Sequence, residues 1–322
     1  MYGAHFGLRE LPFSITPDTS FFFAHASYRE ALNTLLVAAR GGEGFIKVVG
    51  EVGTGKTLLC RKFLGALDAR ESALGASRGP RATEGTSAAF TTAYIPNPYL
   101  EPMTLLLALA DELGIKYPPN VHQHQLLRHI TLFLLDSYAE GKRVLLCLDE
   151  AQALPIETLE ALRLLTNLET ERRKLLQVVL FGQPELDVRL DHPSVRQLKQ
   201  RITFACRLEP LTRAEFDLYL RHRLAVAGYQ GPDLFGVRAV RRLYRASRGI
   251  PRLTNILAHK AMMAAFGEGV TRITDRHVKA AIADTEGARA ARAWPARLLR
   301  YVGGVVTGSA ALVLAWLLGA PV

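Results

Sequence analysis

One eight-residue segment constrains the fold of this 322-residue chain more than any other feature: Gly50-Glu51-Val52-Gly53-Thr54-Gly55-Lys56-Thr57. It matches the pattern G-x-x-x-x-G-K-[ST], follows an apolar run at 45–49, and precedes a helical pattern that starts at Leu58. A glycine-rich turn between a strand and a helix lets backbone N–H groups converge on an anion at the helix N-terminus. The segment therefore predicts a cradle for nucleotide phosphates that extends from Gly50 to Leu58.

Two side chains of the cradle have specific expected roles, and two acidic residues farther along the chain complement them. Lys56 is expected to reach the outer phosphates, and the Thr57 hydroxyl to join the shell of a Mg²⁺ ion. Asp149 and Glu150 follow the apolar run 144–148, which is typical of a strand buried on both faces of a parallel sheet. Asp149 can hold Mg²⁺, directly or through water, and Glu150 can act as the general base. An acidic helix N-terminus is the alternative interpretation of this pair, but the cradle upstream favours a hydrolytic site.

Apolar runs typical of strands alternate with helical patterns up to about residue 210. This alternation predicts a doubly wound α/β layer architecture, with the ligand at the carboxyl ends of parallel strands. From residue 211 the patterns are helical only. We therefore expect an α/β P-loop domain over residues 1–210, a flexible insertion within it at 71–87, and a small all-α lid domain over 211–286.

Charge and cysteine usage limit the class of protein without fixing its function. The chain has 40 Lys and Arg against 30 Asp and Glu, a net charge of +10 that is compatible with nucleic acid, anionic lipid or nucleotide partners. Its three cysteines are far apart in apolar stretches. They are therefore interpreted as core residues in a reducing compartment, not as disulfides or a zinc site.

The C-terminal segment from Tyr301 onward carries no charged side chain. Its length and composition predict a transmembrane helix over 301–320, with Tyr301 and Trp316 near the ends as interface anchors. A basic juxtamembrane linker over 287–300 precedes it. By the positive-inside rule, the sequence predicts a cytoplasmic body anchored in a membrane by a C-terminal single pass. A buried or amphipathic last helix is the alternative, because several glycines and a serine weaken the hydrophobicity.

Four further side chains are candidates for catalysis on local patterns alone. Gln183 follows the apolar run 175–181 and can orient water or sense the γ-phosphate, or it can be an ordinary turn residue. One of Arg196 and Arg201 can reach a neighbouring subunit's nucleotide, or both can belong to a solvated basic face. Arg252 opens a predicted helix and can face the γ-phosphate or the solvent.

A stripe of arginines recurs at helical spacing in the predicted lid domain: Arg238, Arg241, Arg242, Arg245 and Arg248. Such a stripe can touch nucleic acid or acidic lipid, although a solvated helix face is the more frequent meaning.

These motifs resemble the AAA+ ATPases of the general secretion pathway protein A type, which include ATPases of MSHA-type pilus biogenesis. The resemblance covers residues 1 to about 285 and is carried by the phosphate loop together with Asp149-Glu150-Ala151-Gln152, Gly182-Gln183-Pro184-Glu185-Leu186 and Gly249-Ile250-Pro251-Arg252. It implies an oligomer that uses ATP and Mg²⁺. It also assigns the standard roles to Lys56, Thr57, Asp149 and Glu150, and makes Gln183 the first sensor, Arg201 a candidate finger and Arg252 the second sensor.

The resemblance implies an ATPase that couples turnover to assembly of a secretion, pilus or polysaccharide export machine of the cell envelope. Its expected partners are further copies of the chain in a ring or dimer-based assembly, envelope components, and the bacterial inner membrane. The alternative is a DNA-associated AAA+ ATPase of the transposition-helper kind, which would use the arginine stripe on phosphates. DNA is the less favoured partner. A nucleotide-binding scaffold with little turnover is a third interpretation.

Overall fold

The structure is a computed structural model that describes residues 2–16, 18–75, 89–96, 99–169, 174–286 and 288. Its contacts divide the chain into two compact units. An α/β unit comprises Thr16–Pro210, and a helical unit comprises Met1–Ile15 together with Leu211–Val322. The sequence pattern predicts residues 1–15 in the α/β domain, whereas the contacts group this segment with the helices that follow residue 211.

A five-stranded sheet forms the centre of the described α/β unit. Its strands are β1 (Phe45–Gly50), β2 (Phe90–Ile95), β3 (Arg143–Leu148), β4 (Leu176–Gly182) and β5 (Ile202–Leu208). All neighbours pair in parallel, in the order β2-β3-β4-β1-β5. The carboxyl ends of β3, β4 and β1 therefore lie side by side, and the residues that follow these three strands gather at one edge of the sheet.

Helices cover both faces of this sheet. They are α1 (Ala26–Gly41), α2 (Lys56–Gly75), α3 (Pro102–Glu112), α4 (Gln123–Ala139), α5 (Ile156–Leu165), α6 (Glu185–Leu190) and α7 (Arg196–Gln200). Successive residues of β4 point to opposite faces: Val178 packs in a core with α3, α4 and α5, and Val179 packs in a core with α1 and α2. Both faces of the strand are therefore apolar, and this explains the continuous apolar runs in the sequence. Cys60 and Cys147 lie fully buried in the second core.

The helical unit consists of α8 (Arg213–Val226), α9 (Val237–Ser247), α10 (Pro251–Gly267) and α11 (Asp275–Ala283), with the N-terminal segment packed against them. The Arg9 amide donates to the carbonyl of Ala227 at 2.8 Å. Arg223 Nε, buried, donates to the carbonyl of Pro12 at 2.5 Å. These contacts join parts of the chain about two hundred residues apart, so no local sequence pattern reveals them.

Three predicted segments lie wholly or mostly outside the described residues. Residues 71–75 of the expected insertion continue α2 as far as Gly75, and the remainder, 76–87, is outside the described residues. The expected linker, apart from Ala288, and the expected transmembrane helix at 301–320 are outside them as well.

The predicted membrane anchor is corrected. In the part of the chain that the structure describes, no helix combines the length and the apolarity needed to cross a bilayer. The 20-residue α2, for example, carries Arg61, Lys62 and Asp68. The prediction of a body held at the inner membrane by a C-terminal single pass has no support in the structure and is not retained.

Candidate nucleotide site

The loop between β1 and α2 has the backbone shape that an anion cradle requires. Gly53 and Gly55 have φ values of 82° and 102°, which side chains of L-residues rarely tolerate. Gly50 is needed for a different reason, because a Cβ there would lie 2.8 Å from Thr54 Oγ1. Since α2 begins at Lys56, the unpaired N–H groups of its first turn stand at the end of this loop.

Lys56 is held inside the loop. Its side chain is buried, and its Nζ donates to the carbonyl of Gly50 at 2.8 Å and to the carbonyl of Glu51 at 3.1 Å. Burial lowers the pKa of Lys56, while the charges of Glu150 and Asp149 act in the opposite direction. An ammonium that is turned back onto two loop carbonyls is well placed to exchange them for phosphate oxygens, so the loop suits a polyanionic ligand.

The two predicted metal ligands lie in direct contact. Thr57 Oγ1 donates to Asp149 Oδ2 at 2.6 Å, and the Glu150 amide donates to Asp149 Oδ1 at 3.0 Å. Asp149 is 2% exposed. Burial raises the pKa of Asp149, and the hydrogen bonds from Thr57 and from the Glu150 amide lower it. A hydroxyl and a carboxylate are oxygen donors of the kind that Mg²⁺ prefers, so this pair of side chains suits that ion.

Glu150 is fixed by two glutamine amides, which we call the amide clamp: Gln152 and Gln183. Glu150 Oε2 accepts from Gln152 Nε2 at 2.6 Å and from Gln183 Nε2 at 2.9 Å. The two glutamines also contact each other, because the backbone N–H of Gln183 donates to Gln152 Oε1 at 3.0 Å. Glu150 also has a φ of 55°, a left-handed conformation that costs a residue with a side chain about 1–2 kcal/mol. Strain of this kind is typical of functional positions, and here it accompanies a carboxylate held in one place.

The structure thus brings together most of the side chains predicted from the sequence, and it adds two that were not predicted. Gln152 has no role assigned from sequence, although its position two residues after Glu150 was visible. Tyr94, on β2, directs its hydroxyl toward Asp149 Oδ2 over a long 3.5 Å. Burial, followed by the charge of Asp149, raises the pKa of Tyr94. Tyr94 is near Asp149 because β2 pairs with β3, and that pairing has no local sequence signal.

The two candidate arginines belong to other elements of the chain. Arg201 follows α7, is partly exposed, and contributes after Lys174 to lowering the pKa of Glu169. Arg252 is the exposed second residue of α10 and belongs to the helical unit. Their roles stay predictions.

The glycine two residues before the start of α10 has a steric role. Gly249 has a φ of 75°, and a Cβ there would lie 2.2 Å from the carbonyl oxygen of Leu211. Its own carbonyl accepts from the Leu211 amide at 2.9 Å. The glycine of the Gly249-Ile250-Pro251-Arg252 motif is therefore required by close backbone packing at the start of the helical unit.

Comparison with known sequences agrees with this geometry. Residues 39–190 match the family described as the AAA domain. The chain carries an AAA domain. It is also 40% identical over 306 residues to general secretion pathway protein A of Aeromonas hydrophila, a match that covers 95% of this chain and 52% of the relative. The predicted resemblance to AAA+ ATPases of this type is thereby confirmed, and the chain spans about half the length of the curated relative.

Three solved structures illustrate the fold that this chain shares with known proteins. The Orc1 protein of Aeropyrum pernix in complex with DNA has a TM-score of 0.62 and 21% identity, over 85% of this chain and 69% of its own. The Orc2 protein of the same organism, in ADPNP–ADP complexes, has a TM-score of 0.54 and 17% identity, over 84% of this chain and 72% of its own. A Walker-type ATPase of Pyrococcus abyssi has a TM-score of 0.55 and 15% identity, over 89% of this chain and 79% of its own. At these identities the likeness shows the fold alone, which agrees with the predicted α/β class built on a parallel sheet.

Proposed function

We propose that this chain binds ATP together with Mg²⁺ at the loop from Gly50 to Thr57 and hydrolyses it. The observation that carries the proposal is the meeting of three elements at one edge of the sheet. They are the cradle with the buried Lys56, the Thr57–Asp149 contact at 2.6 Å, and the clamped Glu150. Any one of these elements occurs in proteins of many kinds, whereas together they supply the parts that phosphoryl transfer to water requires.

In this proposal Lys56 and the loop amides bind the phosphates, and Thr57 and Asp149 hold the metal ion. Bound Mg²⁺ would neutralise charge on the phosphate oxygens. Glu150 accepts the proton of the attacking water. Its orientation matters because a general base acts only when its carboxylate lies within hydrogen-bond reach of that water. The amide clamp supplies this orientation before the substrate arrives, so no reorganisation is needed at the moment of reaction.

Oligomerisation is the next part of the proposal. In an assembly of identical chains, Arg201 would contribute charge to the nucleotide of a neighbouring copy as an arginine finger, and Arg252 would respond to the γ-phosphate as the second sensor. What supports these roles is the resemblance to AAA+ ATPases.

The biological role we propose is assembly of a secretion, pilus or polysaccharide export machine of the cell envelope, with components of that machine as partners. The support is the 40% identity to general secretion pathway protein A across 95% of this chain. Genes next to this one provide a direct test. Neighbouring secretin, pilin or export genes support the proposal, whereas neighbouring transposase genes contradict it.

Hydrolysis is tested with the purified full chain and the variant Lys56→Ala. We expect ATP turnover that requires added Mg²⁺, and we expect Lys56→Ala to lose both nucleotide binding and turnover. The matched control is Lys62→Ala, on the same helix, where the side chain stacks over Phe22 outside the cluster. Turnover that Lys56→Ala retains, or that a chelator leaves intact, would overturn the proposal.

A further inference from the structure

The helical unit contains an open pocket of about 620 Å³ lined mainly by arginines. Arg238, Arg241, Arg242 and Arg245 of α9 form one wall, and Asp275 of α11 is the one acidic residue among the described residues that line it. Among the described lining residues, four positive charges against one negative charge give a net charge of +3. The other described lining residues, Ala246, Ile282 and Ala288, are apolar.

The arginines of this pocket fall into two groups. Arg242 is paired with Asp275, which also contacts Lys279 at 3.2 Å. Arg238, Arg241 and Arg245 are exposed, and within the described residues no ion pair or hydrogen bond engages their guanidinium groups. We call these three the free arginine row. A solvated helix face ordinarily intersperses both signs of charge, whereas this row brings three guanidinium groups of one sign together in a concave surface.

The row has about the length of three nucleotides of a nucleic acid strand. Arg238 and Arg245 are seven residues apart, which is about 10 Å along an α-helix. One strand of a nucleic acid duplex carries a phosphate about every 3.4 Å along the axis, so about three phosphates fit beside this row. Guanidinium groups suit phosphate well, because their planar fork of N–H donors matches its oxygens.

Other features of the pocket favour the phosphate backbone of a nucleic acid over other ligands. No aromatic ring lines it among the described residues, so bases have no surface on which to stack. The apolar side of α9, with Ala239, Val240 and Leu243, is buried within the helical unit, and so it is not available for insertion into a lipid surface. Positions i, i+3 and i+7 follow one side of α9 over about 10 Å, which suits an extended anion better than a compact one.

We propose that the free arginine row binds the phosphate backbone of a nucleic acid duplex, independently of base sequence. This site is separate in its residues from the nucleotide loop, and the proposal goes beyond ATP hydrolysis. It predicts affinity that falls steeply with salt, since each neutralised phosphate contributes about 0.9 to the slope of log affinity against log salt.

The test uses the full chain, a fluorescein-labelled duplex of mixed sequence and fluorescence anisotropy between about 50 and 200 mM salt. The variant is the triple substitution Arg238→Ala, Arg241→Ala and Arg245→Ala. Its matched control removes the same charge from exposed arginines outside the pocket: Arg221→Ala, Arg272→Ala and Arg276→Ala. We expect the wild type and the control to bind two unrelated duplexes equally well, and the pocket variant to bind at least about tenfold more weakly, with the salt slope reduced by about 2.7.

Unchanged ATP turnover in the pocket variant, measured in parallel, verifies that the variant is folded. If the pocket variant and the control lost equal affinity for the duplex, the proposal would be overturned, because the net charge of the chain and not the row would then explain binding. Absence of duplex binding by the wild type at the lowest salt would overturn it too. Binding of the wild type to poly-glutamate or to anionic vesicles, without binding to the duplex, would also overturn the proposal. The row would then bind an acidic protein or a lipid surface.

Discussion

The two charged regions of this molecule are built in opposite ways. Around the phosphate loop the charged groups are mostly buried and engaged within the chain: Lys56 by two carbonyls, Asp149 by Thr57, and Glu150 by the amide clamp. On α9 the free arginine row is exposed and has no such internal engagement among the described residues. Catalysis benefits from groups that are fixed before the substrate arrives, whereas recognition of a polymer requires charges that are available to it.

This contrast separates the expected effects of substitutions. Changes in the buried cluster should alter the rate of hydrolysis while leaving any polyanion affinity intact. Changes in the free arginine row should do the reverse. A substitution that altered both properties together would weaken the contrast between the two regions.

Of the three changes that test this contrast, Asp149→Asn is expected to have the largest effect. Asparagine keeps the size of the side chain but removes the charge that we propose for holding Mg²⁺. A metal ion contributes several kcal/mol of transition-state stabilisation, so turnover should fall by about three powers of ten. Initial rates as a function of Mg²⁺ concentration measure this loss. The control is Asp187→Asn, which removes a half-exposed partner of Lys47 and should leave the rate within about twofold. Equal rates for Asp149→Asn and the wild type would remove Asp149 from the site.

A smaller effect is expected from the amide clamp. Gln152→Ala and Gln183→Ala should each lower kcat by about ten- to a hundredfold with KM little changed, because a hydrogen bond to a charged group contributes about 1.5–3 kcal/mol. Both amides hold the same oxygen, so the double variant should lose less than the two single effects added together. Gln197→Ala, which removes an exposed glutamine of the same unit, is the control. Strictly additive losses would mean that Gln152 and Gln183 act separately.

The smallest effect concerns the carboxylate of Asp275, which lies beside the arginines of α9. The pKa of Asp275 lies below its usual range, mainly because Arg242 donates a hydrogen bond to its carboxylate. A hydrogen bond from Lys279 lowers this pKa further. A carboxylate with a lowered pKa stabilises the folded state above its unfolded pKa of about 4, and that contribution is lost as the pH falls through the folded pKa. Urea unfolding midpoints at pH 7 and at about pH 3 should therefore differ more for the wild type than for Asp275→Asn. If the midpoints of the two proteins differed equally between the two pH values, the ion pair of Arg242 and Asp275 would contribute nothing measurable to stability.

The sequence predicted those parts of the site that are encoded locally. The loop from Gly50 to Thr57 and the pair Asp149-Glu150 are runs of consecutive residues next to recognisable strands, so their positions followed from pattern alone. Gln183 followed from the β4 pattern, and its contact with Glu150 required the strand order. Tyr94 was missed because its approach to Asp149 depends on the pairing of β2 with β3.

Long-range contacts explain the remaining differences. The buried Arg223 that donates to Pro12 joins positions 211 residues apart, and this is why residues 1–15 group with the helical unit. The arginine stripe looked uniform in sequence. In the structure Arg242 is engaged by Asp275 and differs from the free arginine row, because α11 packs against α9. Patterns along one helix cannot show which of its charges a second helix neutralises.

The most direct test of the central claim is the variant Glu150→Gln, with ATP binding and turnover measured on the same preparation. Glutamine preserves the shape of the side chain but cannot accept the proton of the attacking water, so kcat should fall by about two to four powers of ten while the affinity for ATP stays within about threefold. Glu157→Gln, which changes an exposed residue at the start of α5, should behave as the wild type. Turnover by Glu150→Gln at the wild-type rate would contradict the account, because the clamped carboxylate would then not be the catalytic base.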